Sequence, residues 1–251
     1  AVPEPGAAVR FTVTVSHNAA GEVTLTSLID DVFGDLLDAG NAQVSANTCP
    51  AQARAMAAGG TFSCSFDGFV AGDAGDPDHQ DTVTATATRD GVVPVSASAS
   101  AAVWFGDVLP TASLVKTPVP AAVPEPGAMV RFTVAVQNTS VEPATLIALA
   151  DSVFGDLLDP ANPLVASNTC AAAPRGLALG GTFSCSFDGF VAGDAGDPAH
   201  QDTVTARIAD DEGNSATAAG AAAVPFSDVL PSLSVSKTPS VAAVAEPGGT
   251  V

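Results

Sequence analysis

The sequence has no tyrosine, one tryptophan and few basic residues, with 8 Lys and Arg against 27 Asp and Glu and a formal net charge of −19. A surface this acidic repels DNA, RNA and anionic membranes, so nucleic acid is not an expected partner. Such an acidic surface can bind cations, or it can serve only to keep the protein soluble. No apolar run approaches the roughly 18 residues of a membrane-spanning helix, so no membrane insertion is predicted for this segment.

Sequence motifs of enzymes are also missing. No G-x-S-x-G, H-E-x-x-H or Gly-rich phosphate loop occurs. His79 and His200 lie beside aspartates in "DPDHQD" and "DPAHQD", a setting more typical of a solvated or hydrogen-bonding histidine than of a catalytic one. We therefore predict that this segment is not an enzyme.

Helix signals are almost absent, and strand signals occur throughout. "AQARAMAA" after Cys49 is the best helix candidate, but its counterpart from Ala171 contains proline and glycine, so both are interpreted as loops. Alternating apolar and polar residues predict seven strands in the second half of the chain. These strands are 112–117, 129–137, 144–150, 163–169, 181–191, 202–209 and 215–224. Seven short strands in a domain of this size indicate an all-β, immunoglobulin-like β-sandwich, with Phe183, Cys185 and Phe187 pointing inward.

The chain repeats itself at a spacing of 121 residues. Residues 59–85 and 180–206 agree at 26 of 27 positions, and "AVPEPGAAVRFTV" from Ala1 returns as "AVPEPGAMVRFTV" from Ala122. A period of this length is the size of a whole domain. We predict a tandem array: 1–108 is a β-sandwich lacking its first strand, 109–229 is a complete one, and 230–251 begins a third.

The four cysteines recur as two equally spaced pairs, Cys49 with Cys64 and Cys170 with Cys185. The separation excludes a C-x₂-C metal motif. One disulfide within each domain fits the spacing and implies an oxidising, extracellular setting. Buried free thiols are the alternative.

Acidic residues concentrate in loops that should share one end of each domain. If the strands alternate in direction, alternate loops emerge together beside the next domain. Calcium takes six to eight oxygen ligands in flexible geometry, so it could bridge these carboxylates. The spacing does not match an EF-hand loop, and a plain solvated turn is the alternative. The predicted calcium ligands are Asp30, Asp35, Asp73, Asp76, Asp81 and Asp107 in the first copy and Asp151, Asp156, Asp194, Asp197, Asp202 and Asp228 in the second.

Asn138 opens "NTS", a glycosylation sequon. The first copy has "HNAA" at this position, so the signal belongs to one copy alone.

The strings "SLSVSKTPS", "VRFTVAVQNTS" and "DTVTARIADDEGNSATA" resemble the Ig-like repeat modules of large bacterial and archaeal surface and fibre proteins. The resemblance covers essentially the whole chain. It implies a secreted or cell-surface stalk, adhesin shaft or filament, whose partners are adjacent identical domains and possibly other copies in a fibre. An adhesive module that binds a glycan or host protein is the alternative. Such sites commonly use exposed aromatics, and Trp104 becomes Pro225 in the second copy.

The tail "SLSVSKTPS" from Ser232 has the sequence of a first strand. Two explanations fit. Short subunits could exchange this strand, or the segment could belong to a longer tandem protein. Because Ala243–Val251 duplicate Ala1–Val9 and two copies cannot fill one place, the longer covalent array is the favoured expectation.

Overall fold

The computed structural model describes residues 1–52, 54–89 and 93–248, which contain β-strands and two short 3-10 helices but no α-helix. Side chains along these strands alternate between buried and exposed positions, because successive residues of a strand point to opposite faces of the sheet. Phe183, Cys185 and Phe187 are 3%, 6% and 0% exposed on one strand, which confirms that they point inward. The predicted all-β sandwich fold is likewise confirmed.

The first repeat contains ten of the described strands and one 3-10 helix. In order they are β1 (Val2–Pro3), β2 (Gly6–Ser16), β3 (Val23–Asp30), β4 (Gly34–Asp35), β5 (Val44–Ser45), the helix Cys49–Ala51, β6 (Ala55–Met56), β7 (Thr61–Ala71), β8 (His79–Arg89), β9 (Val93–Val103) and β10 (Phe105–Gly106).

The second repeat begins with a strand that has no counterpart among the described strands of the first. Its elements are β11 (Ala112–Val119), β12 (Val123–Pro124), β13 (Gly127–Asn138), β14 (Ala144–Asp151), β15 (Gly155–Asp156), the helix Cys170–Ala172, β16 (Gly176–Leu177), β17 (Thr182–Ala192), β18 (His200–Ala209), β19 (Ser215–Val224) and β20 (Phe226–Ser227).

Each repeat packs two antiparallel sheets around its own core. In the second repeat one sheet has the order β11-β13-β17 and the other β15-β14-β18-β19, with β16 beside β14. The first repeat has β2-β7-β5 and β4-β3-β8-β9, with β6 beside β3. This distribution of strands is the immunoglobulin-type arrangement. Buried apolar side chains form two separate clusters, one in each repeat.

A short parallel pair closes one end of each repeat. β12 pairs with β20 through Val123 opposite Phe226, and β1 pairs with β10 through Val2 opposite Phe105. The short strand that precedes β2 or β13 therefore lies beside the last short strand of the same repeat.

The predicted strand at 163–169 is wrong, because the structure has only an isolated bridge from Ala166 to Asp188 there. Asparagine side chains hold this segment as a loop. Asn162 Nδ2 donates to the carbonyl of Phe154 at 2.7 Å, and Asn168 Nδ2 donates to that of Leu157 at 3.0 Å. Such side-chain bonds compete with a strand ladder.

The two disulfides join each 3-10 helix to the neighbouring core strand. Cys49 bonds to Cys64 with an S–S distance of 2.09 Å, and Cys170 bonds to Cys185 at 2.10 Å. Closing a loop of this length stabilises a domain by about 3 kcal/mol in the chain-entropy model.

Candidate cation site at the junction of the repeats

Glu4 is a buried carboxylate at the end of the first repeat, and it is only 2% exposed. The N–H of Ala74 donates to its Oε2 at 2.5 Å, and the N–H of Val108 donates to its Oε1 at 2.6 Å. Burial alone would raise the pKa of Glu4, but these two hydrogen bonds bring it below its ordinary value. The backbone therefore holds Glu4 in its ionised form.

Glu142 of the second repeat is directed at Glu4 across the junction. It is 4% exposed, and in the described part of the chain neither of its carboxyl oxygens has a hydrogen-bond partner. Burial raises the pKa of Glu142 to about 8, and neighbouring Glu4, Glu212 and Asp73 add to the rise. Two buried carboxyl groups face one another here without a basic side chain between them, which is costly unless a proton or a cation joins them.

Further acids of both repeats surround this pair. Their ligand oxygens form three overlapping groups, each within 4.8 Å: Glu4, Asp73 and Glu142; Glu4, Asp107 and Glu212; Asp73, Asp211 and Glu212. Burial raises the pKa of Asp73, Asp107 and Glu212 as well. An all-oxygen ligand set of this kind is what calcium binds.

A cavity of about 670 Å³ adjoins the acids and is lined from both repeats, by Asp73 and Asp76 on one side and Glu142 and Asp211 on the other. A hydrogen bond between described residues also spans the junction, from Asn214 Nδ2 to Asp107 Oδ2 at 2.7 Å. The acids therefore lie between the two repeats, beside residues that both repeats contribute.

The predicted first-copy ligands divide between this junction and the interior. Asp73 and Asp107 belong to the acidic groups, and Asp76 lines the cavity while accepting the N–H of Asp73 at 3.2 Å. Asp35 lies elsewhere and caps a turn by accepting the N–H of Leu37 at 2.8 Å.

Asp30 and Asp81 are buried inside the first repeat. Asp30 Oδ1 accepts the N–H of Val32 at 2.9 Å and that of Phe33 at 2.8 Å. Asp81 lies near His79, with 3.8 Å between Oδ2 and Nε2. These two carboxylates are not brought to the junction.

In the second repeat a lysine occupies the place where calcium was expected. Lys116 Nζ lies 2.6 Å from Asp151 Oδ2 and 2.5 Å from Asp202 Oδ2, and all three side chains are fully buried. Lys116 also lies 4.2 Å from the centre of the Phe132 ring. The single positive charge of the lysine offsets one of the two carboxylate charges, and its ammonium group fills the space that a calcium ion would need.

The remaining second-copy residues cap local turns or lie at the far end. Asp156 accepts the N–H of Leu158 at 2.8 Å, and Asp197 accepts that of Asp194 at 3.0 Å. Asp228 lies beside Glu125, whose pKa is lowered by hydrogen bonds from the backbone of the same end.

Sequence reasoning missed Glu142, Asp211 and Glu212 because it considered one end of each domain and not the loops of the next domain that face it. A signal was present. The second copy has Glu142 where the first has Gly21, and "DDE" from Asp210 where the first has "RDG" from Arg89. These acids are specific to the second copy, and the loops that carry them face the acidic end of the first repeat.

Asn138 has a structural role in presenting Glu142. It is fully buried, its Nδ2 donates to the carbonyl of Glu142 at 2.6 Å, and its Oδ1 accepts the N–H of Ser140 at 3.0 Å. A glycan on Nδ2 would displace these contacts, which argues against glycosylation of the folded protein at this sequon.

Comparisons with known proteins return similarities of structure only. No protein-family model and no curated protein matches the sequence. A Ca²⁺-stabilised adhesin with which an Antarctic bacterium binds ice is 14% identical, with a TM-score of 0.28, and the match covers 90% of this chain and 50% of that one. The major pilin subunit BcpA of Bacillus cereus is 10% identical, with a TM-score of 0.24, over 87% of this chain and 70% of that one.

A third similar structure is the extracellular domain of protocadherin GammaB4, which is 18% identical with a TM-score of 0.25, over 86% of this chain and 33% of that one. This chain spans about half the length of the adhesin. At such TM-scores the similarities support no conclusion about function. Within the described ranges no helix is long and apolar enough to cross a membrane.

Proposed function

We propose that the chain is a structural segment of an extracellular or cell-surface fibre, stalk or adhesin shaft, in which calcium fixes the junction between successive Ig-like repeats. The observation that carries the proposal is Glu142, a buried carboxyl group that receives no N–H or hydroxyl donor from the described residues and lies against the backbone-held carboxylate of Glu4.

A divalent cation accounts for this arrangement better than a shared proton does. One proton could join Glu4 to Glu142, but Asp73, Asp107, Asp211 and Glu212 would still repel one another around them. Calcium accepts many carboxylate ligands in irregular geometry, whereas magnesium demands an octahedron and retains water. Calcium is therefore the expected ion.

The ligands come from both repeats, and this gives the ion a mechanical role. Glu4, Asp73 and Asp107 belong to the first repeat, while Glu142, Asp211 and Glu212 belong to the second. An ion held by both sides restricts the angle between the repeats, which are otherwise free to move relative to one another unless their interface is large. The disulfide in each repeat supports an oxidising, extracellular location.

Calorimetric titration with calcium tests the proposal, together with thermal unfolding and small-angle scattering in calcium and in chelator. We expect calcium to raise the melting temperature and narrow the distribution of overall lengths. Glu142→Gln and Glu4→Gln should each weaken calcium binding about tenfold or more.

Glu125→Gln is the matched control. Glu125 is the second-repeat equivalent of Glu4, and it accepts the equivalent backbone N–H groups, those of Ala195 and Val229, at the far end of that repeat. This variant should leave the junction site unchanged. If calcium changes neither stability nor length, or if all three variants bind it equally, the junction carboxylates are only solvated surface.

A further inference from the structure

Lys116 lies inside a closed cluster of reactive side chains in the second repeat. Its Nζ donates a hydrogen bond to Oδ2 of Asp151 at 2.6 Å and lies 2.5 Å from Oδ2 of Asp202. Both distances are shorter than those of ordinary charged N–H···O contacts, which are about 2.7–2.9 Å. All three side chains are fully buried. The lysine nitrogen is therefore held against two carboxyl groups at a place that the rest of the protein closes off from solvent.

Aromatic rings form the surroundings of the lysine nitrogen. The ring centres of Phe132, Phe187 and Phe154 lie 4.2, 5.5 and 5.7 Å from Nζ. Apolar surroundings make charged groups costly, and one lysine with two aspartates leaves one negative charge uncompensated. A reaction that turns an ammonium group and a carboxyl group into one neutral amide would relieve this cost.

The two aspartates are held in different ways, and Asp151 is the one that is fixed from behind. Its Oδ1 accepts the N–H of Val153 at 2.8 Å and that of Phe154 at 3.0 Å. These two bonds direct Oδ2 at the lysine. An amine attacks a carbonyl carbon only after it has lost a proton, and Asp151 is placed to take that proton as a general base.

Asp202 offers the carbonyl carbon that the amine can attack. Its Oδ2 lies 2.5 Å from Nζ of Lys116 and 3.2 Å from Nε2 of His200. Its Oδ1 is buried and has no hydrogen-bond partner among the described residues. Oδ1 is therefore free to carry the proton of a leaving hydroxyl group, while Oδ2 can remain as the oxygen of an amide beside His200.

We propose that Lys116 and Asp202 form an intramolecular amide bond between their side chains, with Asp151 as the general base. The buried ion pair is the state that precedes the bond. The fold supplies the catalysis by holding the reacting groups together, which replaces an encounter in solution by a step within one molecule.

The atoms of this step balance without any further reactant. The bond from Nζ to Cγ of Asp202 forms, and the bond from Cγ to Oδ1 breaks. The ammonium group begins with three protons. One of these stays on the amide nitrogen, one joins the leaving hydroxyl group to make water, and one remains on Asp151. Nothing is oxidised or reduced.

The bond would connect the two sheets of the second repeat through its interior. Lys116 belongs to β11 in the sheet β11-β13-β17, and Asp202 belongs to β18 in the opposite sheet. The disulfide of this repeat makes a different connection, from the 3-10 helix to β17. The proposed bond is independent of the junction cation, because none of its three residues belongs to the acidic groups there.

Intact-mass spectrometry of the reduced and denatured chain tests the proposal. The wild-type chain should be lighter than its sequence by the mass of one water. Asp151→Asn removes the general base, and Lys116→Arg keeps the positive charge but removes the amine, so both variants should have their full sequence mass. Asp30→Asn is the matched control, because Asp30 is the first-repeat equivalent of Asp151. It should lose one water as the wild-type chain does.

Tryptic mapping then locates the bond. Trypsin does not cleave after an acylated lysine, so the digest of the reduced wild-type chain should join peptide 90–131, which contains Lys116, to peptide 176–207, which contains Asp202. This map decides the question even if a variant fails to fold.

A wild-type chain with its full sequence mass would overturn the proposal, and so would a loss of water that persists in Lys116→Arg. A link from peptide 90–131 to peptide 132–175, which contains Asp151, would overturn the roles given to the two aspartates. Loss of water from Asp151→Asn would remove Asp151 as the general base.

Discussion

Asp81 and Asp202 occupy the same position in the two repeats but have different neighbours. Asp202 binds Lys116, whereas Asp81 is buried beside Asp30 without a lysine. Burial raises the pKa of Asp81, Asp30 raises it further, and His79 opposes the rise. The stability contributed by Asp81 is therefore present below its ordinary pKa and is lost as pH rises through the raised one.

The same substitution should consequently have opposite effects in the two repeats. In dilute solution at neutral pH, Asp81→Asn should stabilise the first repeat, because it removes a buried charge. Asp202→Asn should destabilise the second by about 3 kcal/mol, because it breaks a buried ion pair. Urea unfolding followed by Trp104 fluorescence reports the first repeat, and calorimetry reports the second. Two losses of similar size would contradict this prediction.

Glu142 predicts how the junction responds to pH. Its pKa is raised from 4.5 to about 8, so its contribution to stability is complete below 4.5 and is lost as pH rises through about 8. In chelator, the melting temperature of the junction should fall across this window, and Glu142→Gln should flatten the fall.

Calcium should reverse that dependence, because the ion competes with the proton on Glu142. Calcium affinity should increase with pH over the same window, with proton release measurable by titration in buffers of different ionisation enthalpy. An affinity that does not change with pH would remove Glu142 from the ligand set.

At the residue scale the sequence predicts the pairing of the cysteines, but it does not predict the contact between Lys116 and Asp151. Equal spacing in two copies was enough to predict Cys49 with Cys64 and Cys170 with Cys185. Lys116 is 35 residues from Asp151 along the chain, and the two side chains meet only when the sheet that contains β11 packs on the sheet that contains β14. No local pattern records such a contact.

At the scale of the elements, each sandwich is closed by an aromatic ring that lies over a glycine. A Cβ at Gly189 on β17 would lie 2.5 Å from Cζ of Phe154. Phe154 in turn packs on Phe132 and Phe187 at ring separations of 5.6 and 5.5 Å. The glycine is needed because the ring occupies the space above the strand.

Gly189→Ala should therefore lower the free energy of unfolding of the second repeat by about 1–3 kcal/mol through overpacking. Gly176→Ala is the matched control on β16, since a Cβ there meets nothing within 4 Å. Denaturant unfolding compares the two. A Gly189→Ala chain as stable as the control would show that Phe154 can move aside at little cost.

Long alternating strands were predictable and the short ones were not. β13, β17 and β18 each carry enough alternating residues to show period-two burial. β12 and β20 have two residues each, and tertiary position alone makes them strands. The error at 163–169 has another cause, because asparagine side chains at 162 and 168 bond to the carbonyls of Phe154 and Leu157 and hold the segment as a loop, with only one bridge to Asp188.

At the scale of the whole molecule, the junction should respond to salt as well as to calcium. Its carboxylates include the exposed side chains of Asp107, Asp211 and Glu212, which repel one another, and salt screens that repulsion. In chelator, raising the salt concentration should narrow the distribution of lengths seen by small-angle scattering. In saturating calcium the same change should have little effect, because the ion already neutralises the site.

Glu142→Gln supplies the control for that measurement. Above pH 8, where Glu142 is ionised because its pKa is raised to about 8, the substitution removes one of the junction charges, so the salt response in chelator should shrink. An equal response in wild type and variant would place the repulsion elsewhere on the acidic surface.

The 121-residue period and the acidic end of each repeat could be derived from the sequence. The contact between that acidic end and Glu142 could not be derived from the sequence, because it depends on how one folded repeat faces the next. The same reason separates Asp73 and Asp107, which reach the junction, from Asp30 and Asp81, which do not.

The parallel pairs at the ends of the repeats have a consequence when a chain of repeats is stretched. Val123 donates to Pro225 at 3.1 Å and Glu125 to Ser227 at 3.0 Å, as Val2 donates to Trp104 and Glu4 to Gly106 in the first repeat. Tension draws β12 toward its amino end and β20 toward its carboxyl end. Since the two strands run in the same direction, their hydrogen bonds are loaded together in shear and do not open one at a time. Each repeat thus carries a small clamp, between β1 and β10 in the first and between β12 and β20 in the second, and the carboxylate of Glu4 that faces the junction directly follows β1.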